Sequence, residues 1–401
     1  MARRVAIVAG EASGDMLGAA LIRAVRSRLP DVEFYGIAGP KMIAEGATTL
    51  FPLEKLAVRG YVEVLKHFRE IFGIRSQLAR RLLADRPDLF IGVDAPDFNL
   101  GLETRLKAAG IRTVHYVSPS IWAWRANRIH GIKRAVDRML AVFPFEEAIY
   151  EKAGIPVSYV GHPLADAMPL MPDRDEARAQ LRIPASVNAV ALLPGSRMSE
   201  LEAHADLVID TAKVLLEQRP ELRFFVPLAT RETRDHFEAC IYAREAQDLP
   251  LTILFGHARL ALHAADVALV ASGTATLEAA LARCPMVITY RMPRLTYWLM
   301  KRKALLPYVG LPNILAGEFV VPELLQDDAT PENLSQALAN WLDNKVAREK
   351  LAMRFAAIHA SLAQGNDERV ADAIMPYLTA AVPQSGRAHD PAPGLAALRS
   401  R

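Results

Sequence analysis

The stretch "FIGVDAPDFNLGLETRL", residues 90–106, joins a short apolar run to an amphipathic run. Pro96 stands between the two, and proline is not tolerated inside a continuous helix. The sequence therefore predicts a buried strand, then a loop that holds Asp94 at the carboxyl end of the strand, and then a helix. Asp97 or Asn99 is the predicted capping residue, because either side chain can accept a backbone N–H at a helix start.

The same alternation of short apolar runs and helical patterns extends through most of the chain. A polar, proline-containing stretch at 163–185 interrupts it, and the alternation then restarts. Strands separated by helices form βαβ units and parallel sheets. Two such sheets facing each other enclose a cleft, because ligands bind at the carboxyl ends of the strands. The sequence thus predicts an α/β fold of two doubly wound domains facing a central cleft, with C-terminal helices.

The predicted segments follow from these breaks in the pattern. The tail is rich in Pro, Gly, Ala and charged residues, a composition typical of disorder. The segments are an N-terminal domain over 1–165, a C-terminal domain over 166–340, helices over 341–380 that pack back towards the first domain, and a disordered tail over 381–401.

The composition is typical of a soluble globular protein. The chain has 401 residues, of which 51% are apolar and 23% charged, and its apolar runs are too short to cross a bilayer. Two cysteines, Cys240 and Cys284, provide neither a disulfide framework nor a metal-ligand cluster. Together with the missing signal-peptide pattern, this predicts a cytoplasmic protein.

The net charge of +3 is too small to indicate a nucleic-acid partner, but the basic residues are unevenly placed. No acidic residue occurs between Glu278 and Glu318. A local field of one sign attracts anions. The basic residues in this interval are Arg283, Arg291, Arg294, Lys301, Arg302 and Lys303.

Glycine-containing turns follow three predicted strands, at 9–15 ("AGEASGD"), 192–197 ("LLPGSR") and 271–278 ("ASGTATLE"). Each opens a predicted helix whose first N–H groups are free to bind an anion. The first turn taken alone favours a plain strand-to-helix connection. The second is predicted to be capped by Ser196 and adds the bidentate cation of Arg197, so the last two turns together predict a site for a nucleotide diphosphate.

The segment "HYVSPSIWAWRANRIHGIKR", residues 115–134, places two tryptophans in a proline-flanked loop. Rings of this kind pack on sugar faces or acyl chains, and the neighbouring arginines and lysines can pair with a phosphate. An ordinary core aromatic pair beside a solvated basic helix explains the segment equally well.

Asp94 is a candidate general base, because partial burial in a cleft raises the proton affinity of a carboxylate. A metal site shared with Asp97 is disfavoured, since the two residues are three apart with a proline between them.

Taken together, these motifs resemble one family, the lipid A disaccharide synthases, which are inverting glycosyltransferases with two Rossmann-like domains (the GT-B type). The similarity extends to about residue 380 and is most specific in "HYVSPSIWAWR" and "DAPDFN". Its other motifs are "VAGEASGD", "GIAGPKM", "LLPGSR", "VASGTATLE" and "YVGLPNILAG".

The resemblance implies a reaction of lipopolysaccharide biosynthesis without a cofactor or metal. UDP-2,3-diacylglucosamine would donate its sugar to the 6-hydroxyl of 2,3-diacylglucosamine 1-phosphate, giving a β-1,6-linked disaccharide 1-phosphate and UDP. Asp94 matches the catalytic base. The donor-site candidates are Gly195, Ser196, Arg197, Ser272, Gly273, Thr274, Glu278 and Asn313, and the acceptor-side candidates are Ser13, Gly14, Asn99, Ser118, Trp122 and Arg125.

Acylated substrates raise the question of a membrane contact. The segment "GYVEVLKHFREIFGI", residues 60–74, has an apolar helical stripe beside basic residues, which fits either core packing or a face on the bilayer. Residues 294–306 have a similar basic and aromatic character. We expect peripheral association with the cytoplasmic face of the inner membrane, with Val62, Val64, Leu65, Phe68, Ile71 and Phe72 as contacts.

Two other functions fit the same pattern. One is another nucleotide-sugar transferase or an epimerase of the same fold, acting on a soluble substrate. The other is a module that binds a nucleotide sugar or a membrane without catalysis. The sequence does not specify an oligomeric state.

Overall fold

The computed structural model describes residues 3–56 and 61–379, with the backbone alone over 61–68. The predicted tail over 381–401 lies outside the described residues. Among the helices that are described, none combines the length and the apolar character needed to cross a membrane.

The first sheet has seven parallel strands in the order β3-β2-β1-β4-β5-β6-β7. The strands are β1 (Arg4–Ala9), β2 (Glu33–Ile37), β3 (Thr48–Thr49), β4 (Leu89–Val93), β5 (Thr113–Tyr116), β6 (Arg138–Ala141) and β7 (Val157–Tyr159). The helices along this half are α1 (Ala12–Arg28), α2 (Pro40–Ala44), α3 (Tyr61–Asp85), α4 (Pro96–Ala108), α5 (Ile129–Ala135) and α6 (Glu146–Lys152).

The second sheet has six parallel strands in the order β10-β9-β8-β11-β12-β13. The strands are β8 (Ala189–Leu193), β9 (Arg223–Leu228), β10 (Leu251–Phe255), β11 (Val267–Ala271), β12 (Met286–Tyr290) and β13 (Glu323–Leu325). The helices from the linker onwards are α7 (Pro163–Asp166), α8 (Arg174–Gln180), α9 (Met198–Gln218), α10 (Arg231–Ala243), α11 (Ala258–Ala264), α12 (Thr274–Leu281), α13 (Arg294–Lys303), α14 (Leu311–Ala316), α15 (Pro331–Asp343), α16 (Lys345–Leu362) and α17 (Asn366–Thr379).

Each sheet reverses its strand order at one point, between β1 and β4 in the first and between β8 and β11 in the second. The four strands at these points are buried along nearly their whole length, because helices cover both faces of a parallel sheet. Ligands of doubly wound folds bind where the order reverses. The predicted α/β fold with two doubly wound sheets and C-terminal helices is confirmed, whereas the domain boundaries stay a prediction.

The C-terminal helices return to the first half of the molecule. Arg28 of α1 forms ion pairs with two acidic residues of α17, Glu368 and Asp372. The hydroxyl of Tyr116, at the end of β5, donates a 2.6 Å hydrogen bond to Oδ1 of Asn366. These contacts fix the start of α17 beside the end of the first sheet.

Candidate active site

The loops after β1 and β4 touch each other where the first sheet reverses its order. A Cβ atom added to Gly10 would lie 2.3 Å from Cβ of Ala95, and one added to Gly14 would lie 3.4 Å from the carbonyl oxygen of Val93. Glycine is therefore needed at position 10 for the two loops to approach. Gly14 is buried in this contact and Ser13 beside it is exposed, so both acceptor-side candidates lie next to the loop of Asp94.

Asp94 has a left-handed backbone conformation, with φ of 52°, and Ala95 follows with φ of 43°. Two successive non-glycine residues in this region are costly and occur mainly at functional sites. The N–H of Asp94 donates a 2.8 Å hydrogen bond to the carbonyl oxygen of Tyr116, which anchors the loop on β5. The loop thereby leaves the Asp94 side chain half-buried at the carboxyl end of the sheet.

The predicted cap of α4 is wrong. The N-cap position is Ala95, which has no side-chain cap, because the left-handed turn ends directly at Pro96. Asp97 is exposed and forms an ion pair with Arg128. Asn99 is fully buried and donates a 2.8 Å hydrogen bond to the carbonyl oxygen of Asp94. Asn99 therefore has no exposed surface for an acceptor and acts on the loop from behind, which corrects its predicted place on the acceptor side.

A cavity of about 400 Å³ lies between the two halves of the molecule. Asp94 and Ser118 line it from the first half, and Thr274 and Leu311 line it from the second. The structure thus brings the predicted base and the predicted 272–274 turn to one cavity. Trp122 and Arg125, both acceptor-side candidates, lie on its wall.

Trp122 has features of both alternatives that the sequence left open, a core aromatic residue and a ring that faces a ligand site. Its indole Nε1–H donates a 3.1 Å hydrogen bond to Oε1 of Glu146, and its ring meets Phe143 and Phe145 edge-on. The ring is thus part of an aromatic cluster and also a wall of the cavity. Trp124 is different, because the guanidinium of Arg125 lies 3.8 Å from the centroid of its ring.

Glu146 is a buried carboxylate directly behind the cavity wall. Besides Trp122, its acceptor oxygens receive the backbone N–H groups of Val142 and Phe143 at 3.2 and 3.1 Å. Burial nevertheless raises the pKa of Glu146 to about 7. Ser118 is also buried in this region, where its hydroxyl lies 2.6 Å from that of Tyr150. These bonds connect the side chains of the wall to the segment that runs from Val142 to Tyr150.

In the second half, the turn after β8 already holds an anion supplied by the protein. The N–H groups of Ser196 and Arg197 donate to Oε2 of Glu200 at 3.0 and 3.3 Å. Helix α9 begins at Met198 with Arg197 as its N-cap, so the prediction that Ser196 caps the helix is wrong. Gly195, with φ of 129°, allows the turn that places both amides towards one carboxylate.

The turn after β11 leads into α12 through Gly273, whose φ is 155°. The N–H of Ser272 is already used, as it donates a 2.9 Å bond to the carbonyl oxygen of Thr289. Thr274 is exposed at the first position of the helix. Glu278 lies half-buried one turn further on, and burial raises the pKa of its carboxyl, partly opposed by Arg259.

Asn313 does not present its amide to the cleft. Its Nδ2 donates to the carbonyl oxygen of Val321 and to Glu323, at 2.9 and 2.8 Å. Its Oδ1 accepts from the N–H groups of Val320 and Val321 at 2.8 and 3.0 Å. These four bonds satisfy the side chain completely, and it is fully buried. Direct binding of UDP by Asn313 is therefore corrected to a role in holding the segment around α14.

Comparison with known proteins identifies the family. A family model described as lipid-A-disaccharide synthetase matches residues 5–374. The chain belongs to the lipid-A-disaccharide synthetase family. The family resemblance predicted from the motifs is confirmed. Among its relatives, the lipid-A-disaccharide synthase of Aromatoleum aromaticum is 61% identical over 378 residues, which cover 94% of this chain and 97% of that protein.

Solved structures resemble this member of the lipid-A-disaccharide synthetase family in fold alone. One is a UDP-GlcNAc 2-epimerase from Neisseria meningitidis bound to UDP-GlcNAc, with a TM-score of 0.59 and 12% identity over 94% of this chain and 99% of that one. Another is a glycosyltransferase from Rickettsia africae, with a TM-score of 0.56 and 11% identity over 94% of this chain and 97% of that one.

Sequence reasoning missed two polar side chains of this lipid-A-disaccharide synthetase family member, one lining the cavity and one directly behind its wall. Glu146 follows the apolar run that becomes β6, which is the pattern that drew attention to Asp94 after β4. His162 lines the cavity beside Phe143, and burial lowers its pKa to about 4. Each stands shortly after a strand of the first sheet, and that position was the signal available in the sequence.

Proposed function

We propose that this enzyme transfers the sugar of UDP-2,3-diacylglucosamine to the 6-hydroxyl of 2,3-diacylglucosamine 1-phosphate, with Asp94 as the base. Lipid A disaccharide synthesis follows from the family to which the chain belongs. The observation that carries the assignment of residues is the shared cavity, in which Asp94 of one half and Thr274 of the other line the same space.

The chemical step needs a base and a stabilised leaving group. The acceptor oxygen attacks the anomeric carbon on the face opposite UDP, and the bond from that carbon to the UDP oxygen breaks. The hydroxyl proton passes to the Asp94 carboxylate, and the bonding electrons leave with UDP. A sugar hydroxyl is a poor nucleophile, so removal of its proton as attack develops lowers the barrier. The products are the inverted, β-linked disaccharide 1-phosphate and UDP.

The turn after β8 supplies groups for the departing diphosphate. The N–H groups of Ser196 and Arg197 converge on the Glu200 carboxylate, and this geometry supports the proposal that the same two donors hold a phosphate. In the proposed complex the pyrophosphate displaces that carboxylate. The Arg197 guanidinium, whose side chain is largely exposed, then adds a charge-assisted contact as negative charge develops.

The acyl chains favour a bilayer surface as the place of reaction. We assign this contact in part to the start of α3. Phe72 is 49% exposed, with the Arg75 guanidinium 4.4 Å from its ring centroid, whereas Ile71 is half-buried against the core. The side chains of Val62, Val64, Leu65 and Phe68 lie outside the described residues, so their predicted contacts stay predictions. Residence on the cytoplasmic face of the inner membrane is part of the same proposal.

A turnover assay with acylated and deacylated substrate pairs tests the function. We expect UDP release only when both acylated sugars are present, and unchanged turnover in the presence of a chelator. Equal turnover of the deacylated pair would favour the alternative of a transferase acting on soluble sugars. UDP binding without any turnover would leave only a binding module.

A further inference from the structure

Helix α13 lies on the surface of the second half with none of its ten residues buried. Leu295, Trp298 and Leu299 occupy positions i, i+3 and i+4 and therefore share one face of the helix. Their exposed fractions are 71%, 48% and 44%. In the helix of a water-soluble domain such an apolar stripe normally faces the core. Here the stripe is exposed to solvent.

The same helix carries a cluster of positive charge. Its last turn contains Lys301, Arg302 and Lys303. The guanidinium of Arg302 lies 3.7 Å from the ring centroid of Trp298, so a cation sits directly on the apolar stripe. The ion pair of Arg294 with Asp327 lies at the opposite end of the helix. The C-terminal end is therefore the most positive part of the helix.

The chain continues from α13 to the cavity between the two halves. The N–H of Leu305 donates a 2.9 Å hydrogen bond to the carbonyl oxygen of Ala123, which lies between the two tryptophans of the cavity wall. Leu305 is itself 54% exposed, and Leu311 further along lines the cavity. A partner that binds α13 therefore lies at the rim of the cavity that Asp94 and Thr274 line.

We propose that α13 is a membrane-binding helix that lies on an anionic phospholipid bilayer. An apolar stripe with an indole, flanked by lysine and arginine, is the pattern of helices that lie in the plane of a bilayer surface. Anionic headgroups complement the positive last turn, and each cation near such a surface adds to the binding. The lipid nature of the substrates, on which the choice of a bilayer rests, comes from the proposed function.

Helix α13 gives the enzyme a membrane contact in its second half, in addition to the membrane contact proposed for α3 in its first half. The rim of the cavity would then face the membrane, so that an acylated sugar reaches Asp94 without its chains crossing water. A surface that instead binds a protein would not discriminate between neutral and anionic lipid. The lipid dependence of binding therefore distinguishes a membrane partner from a protein partner.

Sedimentation of the full chain with vesicles tests the proposal. The probes are vesicles of phosphatidylcholine alone and of phosphatidylcholine with phosphatidylglycerol. The test variant combines Leu295→Ser and Trp298→Ser with Lys301→Gln and Lys303→Gln. The matched control makes the same kinds of change on exposed residues of α16, namely Val346→Ser, Met353→Ser, Lys345→Gln and Lys350→Gln.

We expect the test variant to bind anionic vesicles at least about tenfold more weakly than the wild type, and the control variant to bind like the wild type. Affinity of the test variant equal to that of the wild type would overturn the proposal, as would equal affinity of the wild type for neutral and anionic vesicles. If the fourfold variant does not fold, Trp298→Ser alone is expected to weaken binding in the same direction, and no change in that variant would overturn the proposal.

Turnover of substrates dispersed in detergent micelles separates this inference from the proposed function. The test variant should keep wild-type turnover there, because no residue of α13 is among those that line the cavity of Asp94 and Thr274. If the wild type has no turnover in micelles, the proposed function fails while the vesicle result still decides the role of α13.

Discussion

The side-chain amide of Asn99 donates a 2.8 Å hydrogen bond to the main-chain carbonyl oxygen of Asp94. This bond joins the buried face of α4 to a loop with two successive left-handed residues, Asp94 and Ala95. Such a conformation persists only where surrounding contacts determine it. The position of the carboxylate in the cavity therefore depends on a residue that the substrates cannot reach.

Asn99→Ala should lower kcat about 10- to 100-fold, because the carboxylate of Asp94, the proposed base, is displaced, and should leave the Kd for UDP unchanged. Steady-state kinetics and UDP titration of the purified variant measure the two effects. Thr104→Ala is the control and should retain kcat, because Thr104 lies on the same helix and its hydroxyl donates to the carbonyl oxygen of Leu100 rather than to the loop. A variant at position 99 with wild-type kcat would refute this role.

Arg197→Ala should weaken UDP binding about 10- to 100-fold, which corresponds to about 1.5–3 kcal/mol for hydrogen bonds to a charged group. Arg197→Lys should have an intermediate Kd, because an ammonium keeps the charge but not the planar pair of donors. Isothermal titration with UDP provides the values. Unaltered affinity in the alanine variant would show that the diphosphate binds elsewhere.

Glu200→Gln should tighten UDP binding several-fold. In the structure the N–H groups of Ser196 and Arg197 donate to the Glu200 carboxylate, and in the proposed complex the diphosphate displaces that carboxylate. Glutamine keeps the size of the side chain but is a weaker acceptor, since hydrogen bonds to charged groups are about twice as strong as neutral ones. Weaker binding in this variant would mean that Glu200 supports the site rather than competes for it.

The buried Glu146 should make the stability of the protein depend on pH. Burial raises its pKa from 4.5 to about 7, so the folded state binds the proton more tightly than the unfolded state. The contribution of this group to the free energy of unfolding is therefore fully present below about pH 4.5 and is lost as the pH rises through about 7. The whole effect amounts to about 3 kcal/mol.

Denaturant unfolding of the wild type and of Glu146→Gln at pH 5 and pH 8 measures this contribution. The free energy of unfolding of the wild type should exceed that of the variant by more at pH 5 than at pH 8. Burial lowers the pKa of His162, so this residue affects the stability in the opposite direction. It titrates in both proteins, and its contribution cancels when the two free energies of unfolding are subtracted. A difference that is the same at both pH values would contradict the burial argument.

Much of the fold could be predicted from sequence because strands buried on both faces are continuous apolar runs. The runs that became β1, β4, β8 and β11 mark both places where the strand order reverses. Asp94 could be found because a carboxylate directly after a buried strand is unusual. Both signals, the apolar run and the carboxylate that follows it, depend only on residues that are adjacent in the sequence.

The remaining details depend on contacts between distant segments. Whether Asn313 faces a ligand is decided by Val321 and Glu323, which come later in the chain and satisfy its amide. The cap of α4 was predicted incorrectly because the left-handed turn at Ala95 leaves no place for a side-chain acceptor. Tertiary contacts, rather than residue type, determine these positions.

Removal of the acceptor hydroxyl proton by Asp94 is the central step of the proposed reaction. Its most direct test is the kcat of Asp94→Asn with both acylated substrates, measured together with the Kd for UDP. We predict a loss of kcat of about 10²- to 10⁴-fold with an unchanged Kd, because asparagine fills the same space but accepts no proton. Near-wild-type kcat in a variant that still binds UDP would contradict the account.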